Sequence, residues 1–219
     1  MQIDLSGRTA LVTGGSLGIG RAIAERFGKS GADVVIVSRR KNEIDRTIDE
    51  LKPVIRGRIA GYSCDVSRES EVDATFEKIT ADVGGIDILV NNAGHASHSP
   101  LLGLTREMLL GDLELKLFAA VQFSRLTVPY MKTRRWGRIL NTVTISAKTP
   151  GPASGPTTLS RAAGLALIKS MSQEFAADNI LVNGLCVGLI KSDQWVREHR
   201  EKYADITYAE YLEKRAKEA

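Results

Sequence analysis

Thr13-Gly14-Gly15-Ser16-Leu17-Gly18-Ile19-Gly20 has the residue types and spacing of a phosphate site. A glycine-rich turn lets backbone N–H groups approach an anion closely, because no Cβ stands in the way. Where such a turn opens a helix, the positive end of the helix dipole faces the same anion. The apolar run Thr9-Ala10-Leu11-Val12 precedes the turn, and the helical pattern Arg21-Ala22-Ile23-Ala24-Glu25-Arg26-Phe27 follows it. Strand, glycine turn and helix in that order predict a dinucleotide site. No paired carboxylates, metal-ligand cluster or nucleophilic triad accompanies it in the sequence.

The elements that must position such a site alternate along the chain. Apolar runs predict strands over 9–13, 33–37, 58–63, 86–90, 137–143 and 180–186. Helical periodicity covers 18–29, 41–51, 68–83, 104–133 and 157–177. Strands without internal polar residues, such as Val34-Val35-Ile36-Val37, suit a parallel sheet covered on both faces. The expected fold class is therefore α/β, one doubly wound parallel sheet with helices on both faces. At 219 residues and 43% hydrophobic content, one domain with a sizeable core is expected. No apolar run is long enough to span a membrane, and the start lacks a basic-then-apolar signal region. Cys64 and Cys186 sit in apolar runs and read as small buried residues of a reducing compartment, so a cytoplasmic location is expected. The net charge is +4, with a dense cluster at Lys132, Arg134, Arg135 and Arg138 around Trp136. A solvated helix end explains that cluster, and no nucleic-acid motif accompanies it.

Other segments join the glycine turn. Asn91-Asn92-Ala93-Gly94 closes the run Ile86-Asp87-Ile88-Leu89-Val90, and Cys64-Asp65-Val66 closes an earlier strand. Gly137-Arg138-Ile139-Leu140-Asn141 and Ile180-Leu181-Val182-Asn183 lead the fifth and sixth strands. In that order and spacing, the chain resembles the short-chain dehydrogenase/reductase family over residues 5–192. The resemblance implies a Rossmann-type domain with a dinucleotide across the strand ends. It implies that Gly14, Ser16, Gly18, Ile19 and Gly20 face the pyrophosphate. Asp65 and Val66 would then contact the adenine, and Asn91, Ala93 and Gly94 would line the ribose. Val187-Gly188 stands where the family has Pro-Gly, so Ile190 and Ser192 would reach the nicotinamide end. The plainer alternative is that the glycines only make turns and Asn91 only ties strands together. An acid about 20 residues past the turn would hold the ribose 2′-hydroxyl of NAD. Ser38-Arg39-Arg40-Lys41 stands there instead. Arg39 and Arg40 suit a 2′-phosphate, so NADP is the expected cofactor, with NAD as the alternative.

The family's catalytic group is an Asn, a Ser and a Tyr-x-x-x-Lys pair, in which the Lys lowers the tyrosine pKa. By the family's spacing, Thr157 stands at the Tyr, Arg161 at the Lys, Thr144 at the Ser and Glu114 at the Asn. Thr144 keeps a hydroxyl, and Arg161 keeps a positive charge one helical turn from Thr157. An alkyl hydroxyl at Thr157 is a far weaker acid than a phenol. Losing a positioned general acid removes roughly 10²–10⁴ in rate. His95 and His98 follow the Asn-Asn-Ala-Gly segment, and histidine titrates near neutrality. His95 is the candidate replacement acid, although solvent exposure is the plainer role for both histidines, and for Lys148 nearby. Two readings stand: hydride transfer between NADP(H) and a small carbonyl or alcohol through a non-standard proton donor, or a dinucleotide-binding pseudoenzyme acting as sensor or partner. The expected partners are a small-molecule substrate and further copies of the chain, with no nucleic acid and no membrane.

The segment 192–219 is charged and carries Trp195, Tyr203, Tyr208 and Tyr211. It reads as amphipathic helices that either cap the domain or form a lid over the site. The resemblance also implies a seventh strand ending in Asp-Gly-Gly, which this sequence does not contain.

Overall fold

The structure, a computed structural model, describes residues 3–190 and 193–217. The chain runs β1 (Thr9–Thr13), α1 (Gly18–Lys29), β2 (Asp33–Ser38), α2 (Lys41–Leu51), β3 (Ile59–Ser63), α3 (Glu69–Val83) and β4 (Ile88–Asn91). It continues through β5 (His98–Ser99), α4 (Arg106–Leu113), α5 (Ala119–Thr133), β6 (Gly137–Thr144), β7 (Gly155–Pro156), α6 (Thr157–Glu174) and β8 (Ile180–Val187). Two helices, α7 (Asp193–Lys202) and α8 (Tyr208–Lys217), follow.

Six parallel strands form one sheet in the order β3-β2-β1-β4-β6-β8. The first half of the chain winds outward from β1 to β3, and the second winds the other way from β4 to β8. The halves diverge at β1 and β4, so a crevice opens beyond their carboxyl ends. Successive strand residues face opposite sides of the sheet, which divides the core in two. Leu11, Val35 and Leu89 pack with Phe123, Ile168 and Met171 of α5 and α6. Val12, Ile36 and Val90 pack with Ala24 of α1 and Ile44 and Leu51 of α2. Each large side chain so buried contributes roughly 1.5–3 kcal/mol. Val34 to Val37 are all fully buried, which explains their unbroken apolar run. Along β8, Leu181, Asn183 and Leu185 are exposed.

The helix expected over 104–133 differs in one way that matters to the site. Between α4 and α5 lies a π-helical turn, Glu114–Phe118. Asp112 and Lys116 are buried and Glu114 between them is exposed. Residues four apart share a helix face, and the residue midway between them points to the opposite side. The glycine- and proline-rich loop before α6 also has a structural task. Gly155-Pro156 pairs antiparallel with His98-Ser99, which fixes the start of α6 against the loop after β4.

The basic cluster is held at a helix end. Arg8 and Arg138 stack on Trp136 at 3.8 and 4.3 Å from the ring centroid, and Lys132 and Arg135 face Asp178. Among the described residues, no helix is long and apolar enough to cross a membrane.

Helices α7 and α8 fold on each other. Tyr211 is fully buried, with the rings of Trp195, His199, Tyr203 and Tyr208 at centroid distances of 5.2–6.3 Å. Desolvation and its bond to the Glu198 carboxylate push the Tyr211 phenol up to about 12. The aromatic side chains expected to shield a site therefore pack within the hairpin. Replacing Tyr211 by Ala is expected to release backbone amides over 195–212 to rapid hydrogen exchange while the β1–β2 amides stay protected. Unchanged exchange across the hairpin would show that this ring cluster does not hold it.

Candidate active site

The glycine turn is bound to the end of β4 by side chains absent from the sequence-based expectation. Asn92 Nδ2 donates to the carbonyl oxygens of Thr13 and Gly14 at 3.1 and 3.4 Å, and its Oδ1 accepts from Thr142 Oγ1. Thr13 Oγ1 accepts from the backbone N–H groups of Asn92 and Ala93 at 3.0 and 3.1 Å. The fit is too close for side chains. A Cβ on Gly20 would lie 2.2 Å from the Gly14 oxygen, and one on Gly14 would lie 3.0 Å from the Ala93 Cα. Gly14 and Gly18 also take positive φ values of 65° and 53°, which glycine adopts without steric cost. Leu17 precedes α1 and supplies no side-chain cap, so the first N–H groups of that helix point outward for a ligand. Ile19 is half-buried on the first turn of α1. Ser16 corrects the expectation for its side chain: its Oγ donates inward to Ser38 Oγ at 2.8 Å, and its carbonyl accepts from Thr47. It braces the turn from beneath.

Arg39 and Arg40 follow β2 and are exposed. Asp65 lies near Arg39. Burial works to raise the Asp65 carboxyl, but bonds from Ser67, with the Arg39 and Arg68 guanidinium charges, hold it below its ordinary value. Val66 is buried in the core, which leaves its backbone alone for ligand contact. Asn91 is a second correction. Its amide turns inward to Asn141 Oδ1 at 3.0 Å and to Ser124, so the side chain ties β4 to β6 and cannot line a ribose. Ala93 and Gly94 continue the strand end, half-buried and exposed respectively.

A buried polar cluster lies beside Gly94. A Cβ there would meet Arg161 Nη2 at 2.7 Å and Lys116 carbons at 3.4 Å. Thr157, the first residue of α6, accepts through Oγ1 from Lys116 Nζ and from the Ser97 N–H, both at 2.8 Å. Lys116 also donates to Asp112, whose second oxygen accepts from Ser160 Oγ. Thr157 and Arg161 thus come together as the sequence spacing implies. Lys116, Asp112 and Ser160 join them without having been singled out. The only available signal was the i, i+4 spacing of Asp112 and Lys116 on one helix face. Glu114 does not join. Its carboxylate-bearing face is exposed, and it lines a shallow hollow with Val66, Ser67 and Glu69. Thr144 ends β6 and accepts from Ser146 Oγ, which in turn accepts from Thr158 of α6.

Electrostatics separate these groups. Burial lowers the Lys116 ammonium to about 8 against the opposing pull of Asp112. Burial lowers Arg161 to about 10, leaving it cationic at neutral pH. His95 is held below its ordinary value by desolvation and by the Lys116 charge. His98 is exposed on β5, Lys148 is exposed beyond β6, and Ile190 is exposed past β8. Ser192 lies outside the described residues.

A model of the short chain dehydrogenase family matches residues 8–203. This chain belongs to the short-chain dehydrogenase family. It is 33% identical to the uncharacterized oxidoreductase YvrD of Bacillus subtilis (strain 168), over 86% of this chain and 70% of that protein. It is also 33% identical to dehydrogenase/reductase SDR family member 4 of Sus scrofa, over 91% of this chain and 73% of that protein. The structure of L-sorbose reductase from Gluconobacter frateurii, complexed with NADPH and L-sorbose, superposes with a TM-score of 0.93. That match has 34% identity and covers all of this chain and 84% of the reductase.

In this short-chain dehydrogenase the glycine cradle and the buried cluster are neighbours. Asn92 holds Gly14, and two residues later Gly94 touches Arg161 and Lys116. A dinucleotide fits the turn, on the evidence of uncapped N–H groups above a backbone too tight for any Cβ.

Proposed function

We propose that the protein is an NADP(H)-linked oxidoreductase that interconverts a small carbonyl compound and its alcohol in a reducing compartment. The observation that carries this reading is the continuity from cradle to cluster through Asn92-Ala93-Gly94. A pyrophosphate on the α1 N-terminus extends one way to the cations after β2 and the other way to Arg161, Lys116 and Thr157. Gly14, Gly18, Ile19 and Gly20 would hold the pyrophosphate through their backbone, and Arg39 and Arg40 would take the 2′-phosphate. NADPH supplies a hydride when bound. Arg161 offers its fixed charge beside Gly94, and Thr144 offers a hydroxyl to orient a carbonyl oxygen.

The deciding experiment is cofactor titration by fluorescence, followed by NADPH oxidation against a carbonyl panel. L-Sorbose belongs in that panel because a 34% identical structure holds it. The expected result is binding of NADPH and turnover of at least one member. Binding with no turnover across the panel would leave a dinucleotide-binding protein without catalysis. No binding would remove the reading altogether.

A further inference from the structure

We propose that Thr157, Lys116 and Asp112 form a proton relay. The Thr157 hydroxyl meets the substrate oxygen, Lys116 recharges that hydroxyl, and Asp112 positions Lys116. The proposal rests on the oxidoreductase reading above and supplies the acid that the family's phenol would otherwise provide.

The geometry carries it. A hydroxyl has two lone pairs and one hydrogen. Thr157 Oγ1 accepts from Lys116 Nζ and from the Ser97 N–H, so both lone pairs are engaged. No acceptor for its hydrogen is found among the described residues, and the relay assigns that hydrogen to the substrate oxygen. A hydroxyl that accepts from a cation is polarised in the direction that donation requires. The Lys116 side chain is 1% exposed and the Asp112 side chain 3%. An ion pair so enclosed is expensive to desolvate, and hydrophobic replacements are often no less stable. Stability alone therefore gives it little reason to exist at this place.

The charge setting suits a proton donor. The groups facing Lys116 are Asp112 from α4, Thr157 and Arg161 from α6, and His95 from the loop after β4. Burial lowers its ammonium most, Asp112 opposes that, and Arg161 adds to it, with a result of about 8. A donor that titrates near the working pH can give a proton in reduction and take one in oxidation.

In reduction, the carbonyl carbon takes a hydride with its electron pair. The carbonyl oxygen forms its new O–H bond with the Thr157 hydrogen. The Oγ1–H bond breaks as Oγ1 takes a proton from Lys116 Nζ, so no free threonine alkoxide is left. Lys116 ends as a neutral amine, and once the product has left, a proton from bulk water returns to Nζ through Thr157 Oγ1, the same hydrogen bond run in reverse. Oxidation of the alcohol runs the same transfers backward, with neutral Lys116 as the final acceptor.

Two readouts test this on the full-length chain. The first needs no cofactor. The Lys116 side chain is followed by nuclear magnetic resonance across pH in protein carrying labelled lysine, with its signal assigned by its loss in Lys116→Met. A midpoint about two pH units below an ordinary lysine supports the relay. So does a further fall in Asp112→Asn, because removing the carboxylate removes the charge that favours the ammonium. A midpoint in the ordinary lysine range overturns it. The second readout is turnover. Lys116→Met and Thr157→Val should each lower kcat for carbonyl reduction by about 100-fold or more while NADPH affinity stays within about threefold. In the parent, reduction should fall above about pH 8, as Lys116 loses its proton, and oxidation should rise through the same range. Thr157→Val keeps the ion pair intact and so reads the relay even if Lys116→Met unfolds. Turnover that survives both substitutions overturns the relay and leaves the oxidoreductase reading standing. A parent that binds NADPH but reduces no carbonyl overturns both.

Discussion

Gly20→Ala is expected to abolish NADPH binding and to lower the thermal midpoint by several degrees. The added Cβ would stand 2.2 Å from the Gly14 carbonyl oxygen and 2.5 Å from Asn92 Nδ2. Neither atom can yield cheaply. The first is backbone in the turn, and the second bonds the Thr13 and Gly14 carbonyl oxygens. Overpacking of this kind costs about 1–3 kcal/mol, and here it also opens the cradle that presents the α1 N–H groups. A ligand at about 100 times its Kd stabilises the parent by about 2.7 kcal/mol, and that gain should vanish in the variant. Thermal unfolding of both proteins with and without NADPH measures the two effects together. An NADPH-induced shift as large in Gly20→Ala as in the parent would remove the α1 N-terminus as the cofactor site.

Arg39→Asp is expected to invert the cofactor preference. The unmodified chain should bind NADPH more tightly than NADH, because Arg39 and Arg40 follow β2 where a carboxylate would otherwise meet the ribose. A charge-assisted bond contributes about 1.5–3 kcal/mol, or roughly 10- to 150-fold in affinity. Aspartate removes that bond from the 2′-phosphate and adds repulsion, while it offers NADH a hydroxyl acceptor. Arg39 itself is exposed, and its carbonyl, which accepts from Ser63 Oγ at 2.9 Å, is retained by any substitution. The fold should therefore be unaffected. Calorimetric titration with each cofactor decides the matter. Equal affinities in the unmodified chain would show that these cations take no part in the choice.

The helix phase around the π-turn illustrates where sequence spacing stops being informative. Matching Glu114 to a family position locates it along the chain but not around the helix axis. The tertiary packing of α4 and α5 against α6 decides that Asp112 and Lys116 face inward and Glu114 faces out. Ser16 and Asn91 show the same limit in another form. Both lie in motifs that the resemblance assigns to the cofactor half, yet their side chains turn away, to Ser38 and to Asn141. A motif fixes where the backbone goes. Which neighbour captures a short polar side chain depends on strands far away in sequence.

What the sequence determined by itself was the alternation of strands and helices, the doubly wound α/β class and the glycine turn before α1. Those features are local: apolar periodicity, glycine conformational freedom and helix start signals act over a few residues. It also carried the family, because several short motifs recur in one order. The tertiary structure alone decided which polar groups meet. Lys116 and Thr157 are 41 positions apart, and Asp112 and Ser160 are 48. Their contact exists because the β5–β7 pair pins the start of α6 and the π-turn rotates Lys116 toward it. Burial then sets the chemistry, because a lysine ammonium falls to about 8 only once the fold has removed its water.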